Sequence, residues 1–414
     1  MDKRSNHIRN VLHGFFLSIG TTIAEPSTIL PLILNAFGGG ALLVGFFSAF
    51  LRGGAIIVQM FAAFQSQNYA RMLPYLRRVF FIRFLAWFGI GVSILLFGTS
   101  HPNITLLCIG TGLFIFSFSA GFGAIYFKDI LAKIFTHKFR GRSMAYRQFF
   151  TALGGLVSGS LAAVILDLFQ PPLSYGYLFM ISAFFMGFGY LAFATVDEPE
   201  KIEMAPRENS FKKFLYSALE TLKADKDLQI QVTTFLLAYG YLMALPFIIL
   251  DAKSKIELSA SAIGILITTQ MVGAMLSNFL WGKLTGSGKN RHTAGIAIGM
   301  HLIAVLTAFF ATTLYEYMLI FFLIGAAADG NRIASGNLIL ILAPPQKRSI
   351  YVALQINIVS FGMFFSILGG LIVHISSYKI LYGITAAVLT AAFLTSLRLK
   401  DEREKQHESD TIVT

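Results

Sequence analysis

The sequence predicts an all-α integral membrane protein, with twelve transmembrane helices in two pseudo-symmetric six-helix bundles. Three observations carry that prediction. Of 414 residues, 55% are apolar or aromatic and only 13% are charged, whereas a soluble domain draws about 25% of its residues from the charged set. The apolar residues fall in runs of roughly 20, the length of a helix that crosses a hydrocarbon core, and not in amphipathic stripes. The runs come as six, a charged break, and six more. That distribution excludes a soluble enzyme, a secreted domain and a disordered chain. It also excludes a membrane barrel, because strict alternation is missing.

The first six runs cover 11–34, 41–64, 78–98, 104–127, 145–169 and 174–195. The second six cover 229–250, 260–284, 293–314, 317–342, 350–375 and 379–397. The first run is too long for a signal-peptide core and has no small-residue cleavage pattern behind it, so it reads as a retained span. Bundles of 11–195 and 229–397 follow, with residues 1–10 and 398–414 as tails and 196–228 as a linker. The C-terminal tail is charged and reads as disordered. Within the linker, Phe211, Phe214, Leu215, Ala218, Leu219 and Leu222 recur at helical spacing behind Ser210, a candidate N-cap. An interfacial helix and a solvated, partly helical linker both fit that pattern.

A net charge of +12 raises the question of nucleic acid, and the placement of the charge answers it. With the N-terminus inside, cytoplasmic segments hold 27 of the 33 Lys and Arg. Only Lys253, Lys255 and Lys379 fall in outer loops, while Arg52, Arg83 and Arg332 lie within spans. The basic excess is therefore topology under the positive-inside rule, and no nucleic-acid partner is expected. The expected location is the plasma (cytoplasmic) membrane, multi-pass, with both termini cytoplasmic. Cys108 is the single cysteine and sits inside a run, so neither a disulfide framework nor a metal cluster is available. The string GSGKN (Gly286 to Asn290) lacks the Ser/Thr and the leading glycine of a phosphate loop. No catalytic residue, metal or cofactor is expected, and the chain is not read as an enzyme.

Internal repetition sits where two matched halves need it. RGRSMAYRQ (Arg140 to Gln148) opens the fifth run and QKRSIYVAL (Gln346 to Leu354) the eleventh, aligning Arg142-Ser143 with Arg348-Ser349.

This layout resembles the major facilitator superfamily of secondary transporters. The loop after the eighth run, GKLTGSGKNR (Gly282 to Arg291), keeps the leading glycine, the leucine and the basic end of that family's cytoplasmic gate loop, with Gly286 where the family usually has aspartate. Asp129 followed by Arg140-Gly141-Arg142 is similar to the family's acidic and RGR gate segment. The resemblance implies gate roles for Asp129, Arg140, Arg142, Gly282, Lys289 and Arg291. It also implies a central cavity lined by helices one, four, seven and ten with two, five, eight and eleven beside it. The polar and aromatic candidates there are Thr21, Thr22, Tyr126, Tyr239, Tyr241, Gln270, Asn331, Gln355 and Asn357. Gly155 to Gly159 is similar to a glycine-rich antiporter motif, but Ser160 stands where that motif has proline, and close helix packing explains the glycines.

Four ionisable residues lie near mid-span: Glu25, Arg52, Asp329 and Arg332. Each costs about 2.5 to 3.5 kcal/mol at a helix centre on insertion scales, so such residues face a bundle interior or a wet cavity and find partners. Glu25 and Arg52 lie at similar depth on antiparallel neighbours, which predicts a salt bridge between helices one and two. Asp329 and Arg332 are three apart on one face and can pair locally or exchange partners with the first pair. Competition between pairing and desolvation suits a coupled proton. A fixed ion pair that sets helix register is the structural alternative.

Arg83 and Arg147 read as interfacial anchors or gate residues, and His301 and His374 as structural histidines. Pro26, Pro31 and Pro246 can bend helices one and seven. The expected function is secondary active transport of a small organic solute by alternating access, proton-coupled, by a monomer in the lipid bilayer, with direction open. A facilitator or lipid transporter on the same fold is the first alternative. A non-transporting membrane receptor or assembly factor is the second.

Overall fold

The computed structural model describes residues 3–66, 69–135, 137–200, 219–344 and 348–401. Most of the linker pattern from Ser210 onward, and Gln346 and Lys347 of the repeat, lie outside the described residues. The helices of the first half are α1 (Lys3–Ile23), α2 (Ile29–Ala36), α3 (Ala41–Gln65), α4 (Leu73–Phe97), α5 (Pro102–Ile134), α6 (His137–Leu168) and α7 (Leu173–Ala194). Those of the second are α8 (Lys226–Ala238), α9 (Tyr241–Lys255), α10 (Ala260–Gly286), α11 (Asn290–Phe310), α12 (Leu314–Leu342), α13 (Arg348–Ser360), α14 (Phe365–Ile375) and α15 (Tyr378–Ser396). A 3₁₀ turn, Phe361–Phe364, joins α13 to α14.

Among the described residues, 11 stretches are long and apolar enough to cross a membrane; one joins α8 to α9 and another covers most of α13 through α14. The twelfth expected span, 11–34, is instead a broken pair. Pro26 has no N–H to continue α1, so the chain turns through residues 24–28 and restarts as α2. The seventh span is broken too, but at Tyr239-Gly240 and not at Pro246, which sits inside α9.

The helices pack into two units, residues 1–207 with 257–268, and residues 208–256 with 269–414. In the first, α1 packs on α6 and α7, α4 on α5 and α7, and α3 on α5. Glycines allow the closest of these approaches: a Cβ on Gly91 of α4 would lie 2.8 Å from the Gly176 carbonyl oxygen of α7. In the second, α11 packs on α12 and α15, α15 on α8, and α9 on α14 and α15.

Both expected tails are partly built into the bundles. Helix α1 begins at Lys3, inside residues 1–10, and Asn6 and Asn10 are fully buried. The reason is polar: Asn6 exchanges two hydrogen bonds with the Asp197 backbone, and Asn10 Nδ2 donates to Ser143 Oγ at 3.0 Å. At the other end, Leu399 and Asp401 are buried, and Asp401 Oδ1 accepts from the Arg291 N–H at 2.7 Å, which caps α11. Lys400 pairs with Asp227 at 3.3 Å.

Candidate functional site

Helix α12 carries the central pair of charges. It starts with a capping box, Thr313 Oγ1 accepting from the Glu316 N–H while Glu316 Oε2 accepts from the Thr313 N–H at 2.8 Å, which satisfies two orphan donors of its first turn. Small residues then bring it against α10: a Cβ on Gly325 would collide with the Gln270 carbonyl oxygen, so only glycine fits. Trp281 Nε1 donates to the Ala326 carbonyl at 3.0 Å and fixes the register. That register puts Asn278 of α10 beside Asp329. Asn278 Nδ2 donates to Asp329 Oδ2 at 3.1 Å, and Arg332 Nη2 donates to Oδ1 at 2.8 Å. The carboxylate is 19% exposed and the guanidinium side chain 67% exposed, so the pair stands at the edge of the packed core and within reach of solvent.

Beside this pair the second unit holds a cavity of about 340 Å³, whose lining includes Tyr239, Tyr241, Asn331, Arg332, Ser335 and Gln355. Each polar wall is positioned from behind. Gln355 Nε2 donates to Ser335 at both its carbonyl, 2.9 Å, and its hydroxyl, 2.6 Å, while its Oε1 accepts from Gln231 Nε2. Tyr241 stacks on His301 with ring centroids 3.8 Å apart and 8° between planes. The Nδ1 of His301 meets Asn331 Nδ2 at 3.2 Å. Asn331 Oδ1 and His301 Nε2 are buried with no hydrogen-bond partner. A neutral imidazole has one donor nitrogen, so the His301 tautomer and the Asn331 amide orientation are set together. Of the nine cavity candidates read from the sequence, Tyr239, Tyr241, Asn331 and Gln355 come together here. Gln270 and Asn357 are half-buried on α10 and α13, outside this lining. Thr21, Thr22 and Tyr126 belong to the first unit: Thr21 Oγ1 donates back to the Leu17 carbonyl at 2.9 Å, Thr22 is buried, and Tyr126 packs against Tyr69 and Tyr75.

The expected bridge between Glu25 and Arg52 is not made. The Glu25 carboxylate, 8% exposed, accepts from the backbone N–H groups of Ser27 and Thr28 and from both hydroxyls. The break at Pro26 turns the N–H groups ahead of α2 toward Glu25, whose carbonyl accepts from Thr28 at 3.3 Å and Ile29 at 2.9 Å, and its carboxylate, two residues from Ser27, meets these donors more readily than a group on another helix. Arg52 is half-buried on α3 with Nη1 unpartnered, and it makes no ion pair among the described residues.

The gate candidates divide in the same way. Lys133 Nζ lies 2.9 Å from Asp129 Oδ2 and 2.7 Å from Glu198 Oε1, while Glu198 accepts from the Met72 and Leu73 N–H groups at 2.9 and 2.7 Å. Glu198 is buried and is the hub of this cluster, although its sequence context reads as linker. Arg140 is half-buried in the first turn of α6, and the side chain of Arg142 lies outside the described residues. In the second unit, Gly282 is exposed, Lys289 precedes α11, and the Arg291 N–H is the one held by Asp401.

Two further clusters escaped the sequence reading. Asp251 sits near the end of α9, where the span's apolar run gives out, and is buried: Tyr382 Oη donates to its Oδ2 at 3.0 Å and Lys255 Nζ at 2.8 Å. Arg147, expected at an interface, points inward instead. Its Nη1 lies 2.6 Å from His13 Nδ1 and 3.1 Å from the Asn10 carbonyl, over the Phe127 ring at 4.9 Å. Arg83 likewise turns from the interface to lie 4.1 Å from the Phe116 ring centroid. Aromatic faces supply the attraction that snorkelling would otherwise supply. Their sequence signal was the density of Phe and Tyr on neighbouring helices.

Residues 230–412 match the family model described as Major Facilitator Superfamily. The match lies in the second half of the chain. No curated protein matches it. Solved structures similar to this chain include a nucleoside transporter, NupG, with TM-score 0.75, 11% identity, and coverage of 95% of this chain and 99% of that one. A bacterial homologue of the human lysosomal transporter Spinster gives 0.64, 13%, 96% and 98% in the same order, and a D-xylose-proton symporter 0.67, 15%, 97% and 97%. At such identities the likeness is one of fold. The chain is thus a multi-pass membrane protein with the fold of these transporters, and its second half matches the major facilitator family.

Proposed function

We propose that the chain is a secondary active transporter that moves a small organic solute by alternating access and couples that movement to protons. The single observation that carries this reading is the placement of the Asp329–Arg332 pair beside a polar and aromatic cavity of about 340 Å³. An intramembrane carboxylate at the edge of a cavity, held by one arginine and one amide, is the group on which a coupled proton would travel. Tyr239 and Tyr241 offer flat apolar faces, while Asn331 offers a buried acceptor without a partner, the mixture that orients a small polar organic molecule. The D-xylose symporter among the similar structures is proton-coupled by its own description, which supports the coupling without naming a solute. The basic segments support an orientation with both termini cytoplasmic, in the plasma membrane.

Glu25 has a different part in this proposal. Its carboxylate is committed to the α1–α2 break, and we assign it to the shape of that break, leaving Asp329 as the coupling carboxylate. The test is flux into proteoliposomes under an imposed pH gradient, with solutes first selected by thermal shift on the purified protein. Wild type accumulates the solute only with the gradient. Gradient-driven accumulation that survives intact in Asp329→Asn would remove the coupling assignment.

A further inference from the structure

The first unit carries a groove unrelated to the cavity above. It lies between α4 and α7, has a volume of about 430 Å³, and is lined by Phe80, Phe81, Phe84, Leu191 and Tyr190, with Arg77 and Ala194 at one end. Its walls face outward: Phe81 is 62% exposed and Leu191 66%. In a membrane-spanning helix pair such surface is in contact with acyl chains. What separates this groove from ordinary lipid-facing surface is its charged end.

Helix α7 stops at Ala194, and its last carbonyls have no helical partner. Two arginines from different helices take them. Arg77 Nε of α4 donates to the Ala194 carbonyl at 2.9 Å, and Arg9 Nη1 of α1 donates to the adjacent Thr195 carbonyl. A guanidinium has five N–H donors, so each arginine is fixed in place by one bond while most of its donors stay open. In Arg77 the bond is at Nε, which leaves the terminal NH₂ fork free, the part that grips two oxygens of one phosphate. Neither arginine makes an ion pair among the described residues, and both are exposed or nearly so at these bonds. The nearby carboxylates are otherwise engaged: Glu198 holds Lys133 and the start of α4, and Glu200 holds Arg71. Asp197 is exposed and opposes them, one carboxylate against two guanidiniums. The balance at the mouth is cationic.

We propose that this groove binds an anionic phospholipid, its phosphodiester on Arg77 and Arg9 and an acyl chain along Phe80, Phe81, Phe84 and Leu191. Charge complementarity argues for that occupant over a neutral lipid. Depth agrees, since the arginines sit at the ends of α4 and α7 on the side of the chain's N-terminus, where a headgroup meets the hydrocarbon boundary. A site of this kind would tie lipid composition to the α1–α4–α7 contacts that hold the first bundle together.

Native mass spectrometry of the full-length detergent-solubilised protein tests this, using phosphatidylglycerol and phosphatidylcholine with identical chains. Wild type is expected to retain phosphatidylglycerol preferentially. Arg77→Gln should weaken that preference about five-fold, the worth of one basic residue at a charged membrane surface. Gly187→Leu, which keeps every charge and places a side chain against Phe84 in the groove, should lower retention of both lipids. Equal retention of the two lipids by wild type, or an unchanged preference in Arg77→Gln, overturns the proposal. So does displacement of phosphatidylglycerol by millimolar inorganic phosphate, which would mark a phosphate site with no use for the chain. If either variant fails to fold, the wild-type preference itself must fall between 0.05 and 0.5 M salt, a range over which the screening length shortens from about 14 to about 4 Å; a salt-independent preference overturns the proposal.

Discussion

The two bundles treat their intramembrane charges in opposite ways. In the first, Glu25 is enclosed by Ser27 and Thr28, Arg83 and Arg147 lie against aromatic rings, and Arg52 has no ionic partner among the described residues. In the second, Asp329 and Arg332 hold each other beside an open cavity. A buried charge stabilised by backbone donors or ring faces is tied to one geometry, because its partners cannot leave without unfolding a turn. A charge pair at a cavity edge can part and find water. The first arrangement suits a scaffold and the second a switch.

Substitutions at the two carboxylates should therefore separate function from stability. Asp329→Asn is expected to abolish gradient-driven accumulation, the largest effect, while stability changes by about 1 kcal/mol or less, the worth of a solvent-accessible pair; flux and thermal denaturation of the same preparation measure both. Glu25→Ala should do the reverse. It removes the acceptor of the Ser27 and Thr28 hydroxyls and of the Ser27 N–H in a buried turn, a cost of about 1 to 3 kcal/mol, read as a lowered Tm. Residual flux per folded molecule should stay coupled to the pH gradient. If Glu25→Ala instead uncouples transport at unchanged Tm, the contrast between the bundles is wrong.

Glu198→Gln probes the same distinction at the end of α4. The loss of its charge weakens the link to Lys133, and the single amide oxygen can replace only one of the two carboxylate oxygens that accept from Met72 and Leu73, so a Tm decrease is expected. The smallest effect is predicted for Arg52→Met. Removing a half-buried cation with an unpartnered nitrogen should leave Tm unchanged or raise it, whereas a native bridge to Glu25 would make the same change strongly destabilising.

How far the sequence could be read follows from the same physics. Runs of apolar residues report the need to satisfy backbone groups in lipid, a local requirement, so the spans from Leu73 to Phe97 or from Leu173 to Ala194 were visible as runs. The pairing of Asp329 with Arg332 was also visible, because three residues along a helix fix a distance. Depth along two helices does not fix rotation about them, and the expected Glu25 to Arg52 contact failed on that point and on the competing donors released by Pro26. Glu198, Asp251 and Asp401 lie at or beyond span ends, where a carboxylate looks solvated in sequence and becomes a hub only when helix termini converge on it. His301 is legible as buried but not as the support of Tyr241, since that relation joins α11 to α9 across the bundle.

The break between α8 and α9 lies at Tyr239-Gly240, so the two tyrosines of the cavity wall stand on opposite sides of it. The chain there is held by short-range bonds, Leu242 N–H to the Tyr239 carbonyl at 2.9 Å and Met243 N–H to Gly240 at 3.0 Å. A molecule clasped by both rings would act as a splint across a joint. Occupancy of the cavity and stiffness of that joint are then the same variable, and slowed amide exchange at residues 239–243 would register a solute even where no flux has yet been seen.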